Sequence, residues 1–242
     1  MNRPAAPLVR SLAPEDIGPA AAELVLAALN GRRDPVIGVA TGSSPSPLYD
    51  ALAAGHTDFS RATWFALDEY VGLPKRHPES YAEVLRREII EPLGLDPHSV
   101  HLPDPHRDDL QAACTDYERR ITAAGGIDLQ ILGIGRNGHL AFNEPGGPLD
   151  SRTRVEVLTE DTRRANQRFF DSLDGVPTHC LTQGLGTILE AGQLLLIARG
   201  EGKAPALRAA LKGPVSPECP ASVLQLHGRV TVLADAAAAS LL

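Results

Sequence analysis

Cysteine is scarce in this chain of 242 residues. The three present, Cys114, Cys180 and Cys219, are far apart, odd in number and form no Cys-x-x-Cys pair. That pattern argues against a disulfide framework and against a zinc knuckle. Long apolar runs are also missing. No stretch approaches the roughly 20 residues that cross a bilayer. Residues 1–17 carry Pro4, Pro7 and Pro14 instead of the apolar core of a signal peptide. Basic charge is in deficit, with 23 Lys+Arg against 30 Asp+Glu and a formal net charge of −7. A nucleic-acid-binding surface is therefore not expected, and any anionic substrate needs a local basic pocket. Internal repeats and low-complexity segments are absent too, and no linker is long enough to separate a pair of domains. The expectation is a reduced, cytoplasmic protein with one domain over 1–242 and no membrane or nucleic-acid partner.

What is present is an alternation of short apolar runs with helical patterns. Residues 35–40, 62–67, 127–132 and 193–198 read as buried strands. Ala13-Pro14-Glu15-Asp16 has the proline and acids of a helix start, and that helix should reach about residue 30. Further helices are expected over 47–53, from His77-Pro78-Glu79-Ser80 to about residue 91, and over 108–124, 161–170, 182–189 and 200–211. Residues 151–158 suggest a short strand; 221–226 and 230–233 suggest closing strands. Such alternation implies an α/β fold with a mostly parallel sheet and helices on both faces.

Four stretches carry chemistry. Thr41-Gly42-Ser43-Ser44-Pro45 lies between a strand and a helix. It is either a phosphate cradle of backbone N–H groups and hydroxyls or an ordinary capped turn. It is not a P-loop, because the Gly-Lys-Ser/Thr element is missing. Asp68-Glu69 closes the second strand, a good place for a general base, though an aspartate there also caps loops. Gly133-Ile134-Gly135-Arg136-Asn137-Gly138 matches the dinucleotide fingerprint, but Pro145-Gly146-Gly147-Pro148 leaves room for two helical turns at most. The loop is either a tight turn around a core histidine or one that delivers His139 and Glu144 beyond a strand's carboxyl end, where open α/β sheets bind ligands. Finally, Lys203 at a helix start opposes the dipole and asks for an anionic partner. His98, His101, His106 and Asp104 share a Pro-rich loop, but their spacing fits no common ligand pattern, so no metal is expected.

Taken together, these motifs resemble the glucosamine-6-phosphate deaminase family. The likeness also covers Leu67-Asp68-Glu69-Tyr70-Val71-Gly72-Leu73, Ser151-Arg152-Thr153-Arg154 and Thr162-Arg163-Arg164-Ala165-Asn166-Gln167-Arg168-Phe169-Phe170, and so spreads along nearly the whole chain. The resemblance implies a three-layer α/β/α sandwich with a Rossmann-like central sheet. It also implies conversion of glucosamine 6-phosphate and water to fructose 6-phosphate and ammonia, without metal or organic cofactor. In that reading Asp68 moves the proton between C2 and C1, with Glu69 beside it. His139 opens the sugar ring, held by Glu144, with Asn137 next to it. Thr41, Gly42, Ser43, Ser44, Gly135, Arg168 and Lys203 bind the substrate and its phosphate, and residues 154–182 form a mobile lid.

The chain also departs from that family. Some members carry an aspartate where Asn137 stands, so His139 is expected to rely mainly on Glu144. Regulated members have serines after the Glu-Pro and a lysine two residues past Arg154. Here Gly147-Pro148 and Glu156 stand instead, and the chain ends at Leu242 without their C-terminal extension. An enzyme not activated by N-acetylglucosamine 6-phosphate, monomeric or a small homo-oligomer, is expected. The rivals are a galactosamine-6-phosphate deaminase, a 6-phosphogluconolactonase, and a sugar-phosphate-sensing regulatory domain.

Overall fold

The computed structural model describes residues 4–242; residues 1–3 of the expected domain lie outside the described residues. In chain order the elements are β1 (Leu8–Leu12), α1 (Ile17–Leu29), β2 (Val36–Val39), α2 (Ser46–Ala54), β3 (Thr63–Ala66), β4 (Asp68–Val71), α3 (Tyr81–Leu85), α4 (Glu91–Leu93), β5 (Val100–His101), α5 (Leu110–Ala123), β6 (Leu129–Leu132), β7 (Arg154–Val157), α6 (Glu160–Asn166), β8 (His179–Thr182), α7 (Leu185–Leu189), β9 (Leu194–Ala198), α8 (Ala204–Lys212) and β10 (Val230–Asp235). A π-helical turn, Arg86–Ile90, joins α3 to α4.

Seven strands form the central sheet in the order β1-β10-β9-β6-β2-β3-β5, and every neighbouring pair is parallel. Both faces of such a sheet are covered by helices, so its strands are apolar throughout. β2 and β6 are buried at every position, as is β9. Trp64, Phe65, Ile37, Ile131 and Leu132 fill the core around them. The α/β class with a mostly parallel, helix-flanked sheet is thus as expected.

The strand order places the site. β2 leads on to β3 on one side and β6 leads on to β9 on the other, so the topology reverses between β2 and β6. A crevice opens beyond the carboxyl ends of strands at such a switch point. The loops that leave β2 and β6 there are Thr41-Gly42-Ser43-Ser44 and the Gly133 loop.

The structure corrects several expected elements. Residues 8–12, where the sequence pattern predicts no element, form the edge strand β1, parallel to β10. Residues 220–226 form a 3-10 helix (Pro220–Leu226) and not a closing strand. Short buried apolar runs do not distinguish the two states. Here Pro220 starts the turn, and Gln225 Nε2 donates to the carbonyls of Ala210 and Gly213 at 2.9 Å each. The helix expected from residue 182 begins only at Leu185, because residues 179–182 are paired on both sides. They form β8, the middle strand of a second, antiparallel sheet in the order β4-β8-β7.

That second sheet makes a corner at Leu67. β3 ends at Ala66, β4 begins at Asp68, and the Leu67 carbonyl accepts from Gln183 N at 2.7 Å. The Ala66 carbonyl receives the Tyr117 hydroxyl at 2.5 Å and Gln183 Nε2 at 3.0 Å. Tyr117 itself packs edge-on against Phe65. The backbone that leads into Asp68 is therefore braced by buried groups.

Candidate active site

A cleft of ≈ 1150 Å³ opens at the switch point. Thr41, Gly42, Ser43, Ser44, Asp68, Gly135, Asn137, His139, Arg168 and Lys203 all line it. Two residues expected at the site, Glu69 and Glu144, stand behind the lining.

Asp68 opens β4 and is buried. Loss of water around its carboxylate, and then the charge of Glu69, push its pKa up to about 8. Burial disfavours the charged form, and a neighbouring like charge adds to that. Glu69 behaves differently, although burial raises its pKa as well. Its Oε1 accepts from Tyr70 N at 2.7 Å and Tyr81 N at 2.9 Å, and its Oε2 accepts from Ala82 N at 2.8 Å. Those donors favour the ionised form and satisfy the first turn of α3. Glu69 is committed to holding α3 against β4 and does not reach the cleft.

The Gly133 loop is shaped around His139. A Cβ at Gly135 would stand 2.4 Å from the His139 ring, so only glycine leaves room for the imidazole. Gly135 N–H donates to the His139 carbonyl at 2.9 Å, and Gly138 N–H donates to the Gly135 carbonyl at 3.1 Å. Gly138 turns with φ +84° and packs against Cys219. Burial lowers the pKa of His139; Glu144 opposes that shift, and the ammonium of Lys203 adds to it. The imidazole is accordingly neutral near pH 7, as an acceptor of a hydroxyl proton must be.

Glu144 is the hub of this loop. Its Oε2 lies 3.8 Å from His139 Nδ1 and accepts from Asn137 Nδ2 at 3.0 Å. Its Oε1 accepts from the Thr159 hydroxyl at 3.2 Å. Asn137 Oδ1 accepts the His139 backbone N–H at 3.3 Å. Asn137 thus orients Glu144 and the loop backbone, and His139 Nδ1 has no hydrogen-bond partner among the described residues.

The other end of the cleft is cationic. Ser43 and its neighbours lie at the N-terminal, positive end of α2. Arg199, which no sequence motif marks, donates from Nη1 to the Ser43 carbonyl at 3.2 Å and so braces that loop. Lys203 stands where α8 starts and donates to the Ile134 carbonyl at 2.6 Å. Burial and then the charges of Arg136 and Arg168 lower its pKa. Arg168 rests over the Phe169 ring, 4.7 Å from its centroid. Arg136 is a further cleft residue that the motifs do not single out; its signal in the sequence is a cation inside the glycine-rich loop.

One wall comes from 154–182. Thr159 caps α6, with its hydroxyl accepting from Thr162 N at 3.2 Å. Asn166 Nδ2 donates to the Tyr70 hydroxyl at 3.0 Å, and Phe170 packs edge-on to Tyr70. Arg163 holds the returning chain through the carbonyls of Leu173 and Val176. The loop histidines His98, His101 and His106 are not among the residues that line this cleft. No group of three or more His, Cys, Asp or Glu among the described residues is placed to hold a metal.

Comparison with known proteins bears on the same elements. Residues 13–233 match the family model for glucosamine-6-phosphate isomerases/6-phosphogluconolactonase. Glucosamine-6-phosphate deaminase from Pseudarthrobacter chlorophenolicus is 55% identical over 93% of this chain and 88% of its own length. A solved structure of a monomeric glucosamine-6-phosphate deaminase of the NagB superfamily superposes with a TM-score of 0.94 at 40% identity, over 97% of this chain and all of its own. A 6-phosphogluconolactonase from Thermotoga maritima, at 22% identity and a TM-score of 0.75 over 94% of this chain and 99% of its own, shares the fold alone.

Proposed function

Because the chain belongs to the family of glucosamine-6-phosphate isomerases and 6-phosphogluconolactonases, we propose that it converts glucosamine 6-phosphate and water to fructose 6-phosphate and ammonia. One observation carries this reading: a buried carboxyl group, Asp68, and a histidine, His139, share a cleft with a cluster of cations.

The phosphate binds to the 41–44 loop, Lys203 and Arg168, which places the sugar between Asp68 and His139. Neutral His139 accepts the proton of the anomeric hydroxyl and returns it to the ring oxygen, which opens the ring. Glu144 stabilises the transient imidazolium. Asp68, as carboxylate, takes the proton from C2; the C2–H electrons form the C1–C2 double bond, and the aldehyde oxygen takes up a proton given by the substrate's ammonium, which leaves a neutral enolamine. Asp68 then returns its proton to C1, which leaves an iminium at C2. Water adds there and ammonia departs, leaving the ketone of fructose 6-phosphate. Residues 154–182 act as the lid over this sequence within one domain, since excluding bulk water protects the enolamine.

The lactonase alternative needs no base aimed at C2, and the Thermotoga maritima lactonase is only 22% identical to this chain, against 55% for the Pseudarthrobacter chlorophenolicus deaminase. A sensor has no use for Asp68, His139 and Glu144 together. We further infer a monomer without allosteric activation. The 40%-identical deaminase is described as monomeric. In this chain Arg154 is already engaged by Glu156 and by Asn143 Oδ1, the latter at 2.8 Å. A cytoplasmic location fits three free cysteines and the lack, among the described residues, of a helix long and apolar enough to cross a membrane.

The experiment is ammonia release by purified protein with chelator present, using glucosamine 6-phosphate and its C4 epimer, galactosamine 6-phosphate, in parallel. Release from the gluco compound supports the proposal. Release from the galacto compound alone changes the substrate and keeps the mechanism. Release from neither overturns the reading.

A further inference from the structure

Five cations line the cleft: Arg87, Arg136, Arg164, Arg168 and Lys203. Arg87 pairs with Glu88 at 3.4 Å, and Arg164 pairs with Glu160 at 2.5 Å. Among the described residues the other three have no carboxylate partner. Lys203 leans on the Ile134 carbonyl and Arg168 on the Phe169 ring. Arg136 has neither a hydrogen bond nor an ion pair among the described residues. Its guanidinium lies against the loop that carries Lys203: a Cβ on Gly202 would stand 3.4 Å from Arg136 Nε. Of the two arginines that depress the Lys203 ammonium, Arg136 acts more strongly than Arg168.

Arg136 and Arg168 are exposed and Lys203 is half-buried, so solvent screens part of their repulsion, yet carboxylates are plentiful in a chain of net charge −7. None of them is spent here. Such an arrangement is stabilised once an anion arrives to bridge the charges. We infer that Arg136 is a third phosphate-binding cation of this cleft, joining Lys203 in first capturing the substrate's phosphate monoester, before Arg168 closes on it from the lid. The inference rests on the sugar-phosphate reading given above. The division of labour follows from the elements. Arg136 sits in a loop braced by hydrogen bonds from Gly135 N–H to the His139 carbonyl and from Gly138 N–H to the Gly135 carbonyl, whereas Arg168 belongs to 154–182. A planar guanidinium contributes two parallel donors to a phosphate and favours its dianion.

The test compares wild type, Arg136→Gln and Arg136→Lys in two readouts: steady-state kinetics with glucosamine 6-phosphate, and the affinity for inorganic phosphate followed by thermal shift. Losing one charged phosphate contact should raise KM and weaken phosphate affinity by about tenfold in Arg136→Gln, with kcat within about twofold. Arg136→Lys should recover part of both, and the dependence of KM on salt should flatten in Arg136→Gln. KM and phosphate affinity unchanged within twofold in Arg136→Gln would overturn the inference. So would a fall in kcat as large as the rise in KM with no recovery in Arg136→Lys, since that marks a structural effect on the His139 loop. If wild type releases no ammonia, the function proposed above fails, while the phosphate titration still decides the role of Arg136.

Discussion

Glu144 Oε2 stands 3.8 Å from His139 Nδ1, beyond hydrogen-bonding distance. Asn137 Nδ2 holds the same oxygen at 3.0 Å, and Thr159 holds the other carboxylate oxygen. Glu144 therefore acts on His139 through charge in this state, and its charge is what keeps the imidazole pKa from falling further.

Glu144→Gln removes that charge and leaves the shape. The His139 pKa should then fall below its value in the wild-type protein, and kcat should drop by about 10²-fold because the imidazolium formed during ring opening loses its counter-charge. A titration of the His139 imidazole by NMR, beside turnover measurements, checks both. An unchanged midpoint would show that Glu144 has no electrostatic hold on the ring.

In the proposed reaction Asp68 must be a carboxylate to take the C2 proton, yet burial and the charge of Glu69 raise its pKa in the free protein to about 8. Below that value the group is mostly protonated and idle. The ratio kcat/KM should therefore rise with pH up to about 8 and level off above it, as expected for an essential base titrating in the free enzyme. The substrate's ammonium, brought beside Asp68, favours its charged form, so the corresponding rise in kcat should lie at lower pH. A kcat/KM profile that is flat from about pH 6 to 9 argues against Asp68 as the base.

Glu69 takes a structural part. Glu69→Ala strands the three backbone N–H groups it now satisfies, and a buried unsatisfied donor costs about 1–3 kcal/mol. Urea unfolding should show a loss of stability of at least that size, while the affinity for inorganic phosphate stays within about threefold. The opposite pattern, normal stability with lost phosphate binding, would put Glu69 back among the substrate ligands.

Regulation can be checked directly. With Arg154 engaged by Glu156, the rate should depend hyperbolically on glucosamine 6-phosphate, with and without N-acetylglucosamine 6-phosphate. A sigmoidal curve that this compound makes hyperbolic contradicts the unregulated reading.

Much of the architecture is legible in the sequence because the central strands are short apolar runs ended by glycine or charge. β2, β3, β6 and β9 fall inside the runs that predict them. β1 is not legible. Its Leu8 and Val9 are exposed at a sheet edge, so no burial pattern marks it. β8 is hidden because its pairing partners, β4 and β7, lie far away in sequence. At the site, the residues that line the cleft sit in motifs whose chemistry can be read locally. What sequence does not report is direction. Asp68 and Glu69 are neighbours on one strand, so their side chains leave on opposite faces, and only the fold shows which one meets the cleft. The same applies to Arg136, whose importance appears only when Lys203, sixty-seven positions away by numbering, is folded beside it.

The most direct test of the mechanism is turnover by Asp68→Asn, measured beside its affinity for inorganic phosphate. The cationic end of the cleft is untouched by this change, so phosphate should bind as in wild type. Ammonia release should fall by at least about 10²–10⁴-fold, the contribution of a positioned general base. Near-normal turnover in this variant would contradict the assignment of Asp68 as the group that carries the proton from C2 to C1.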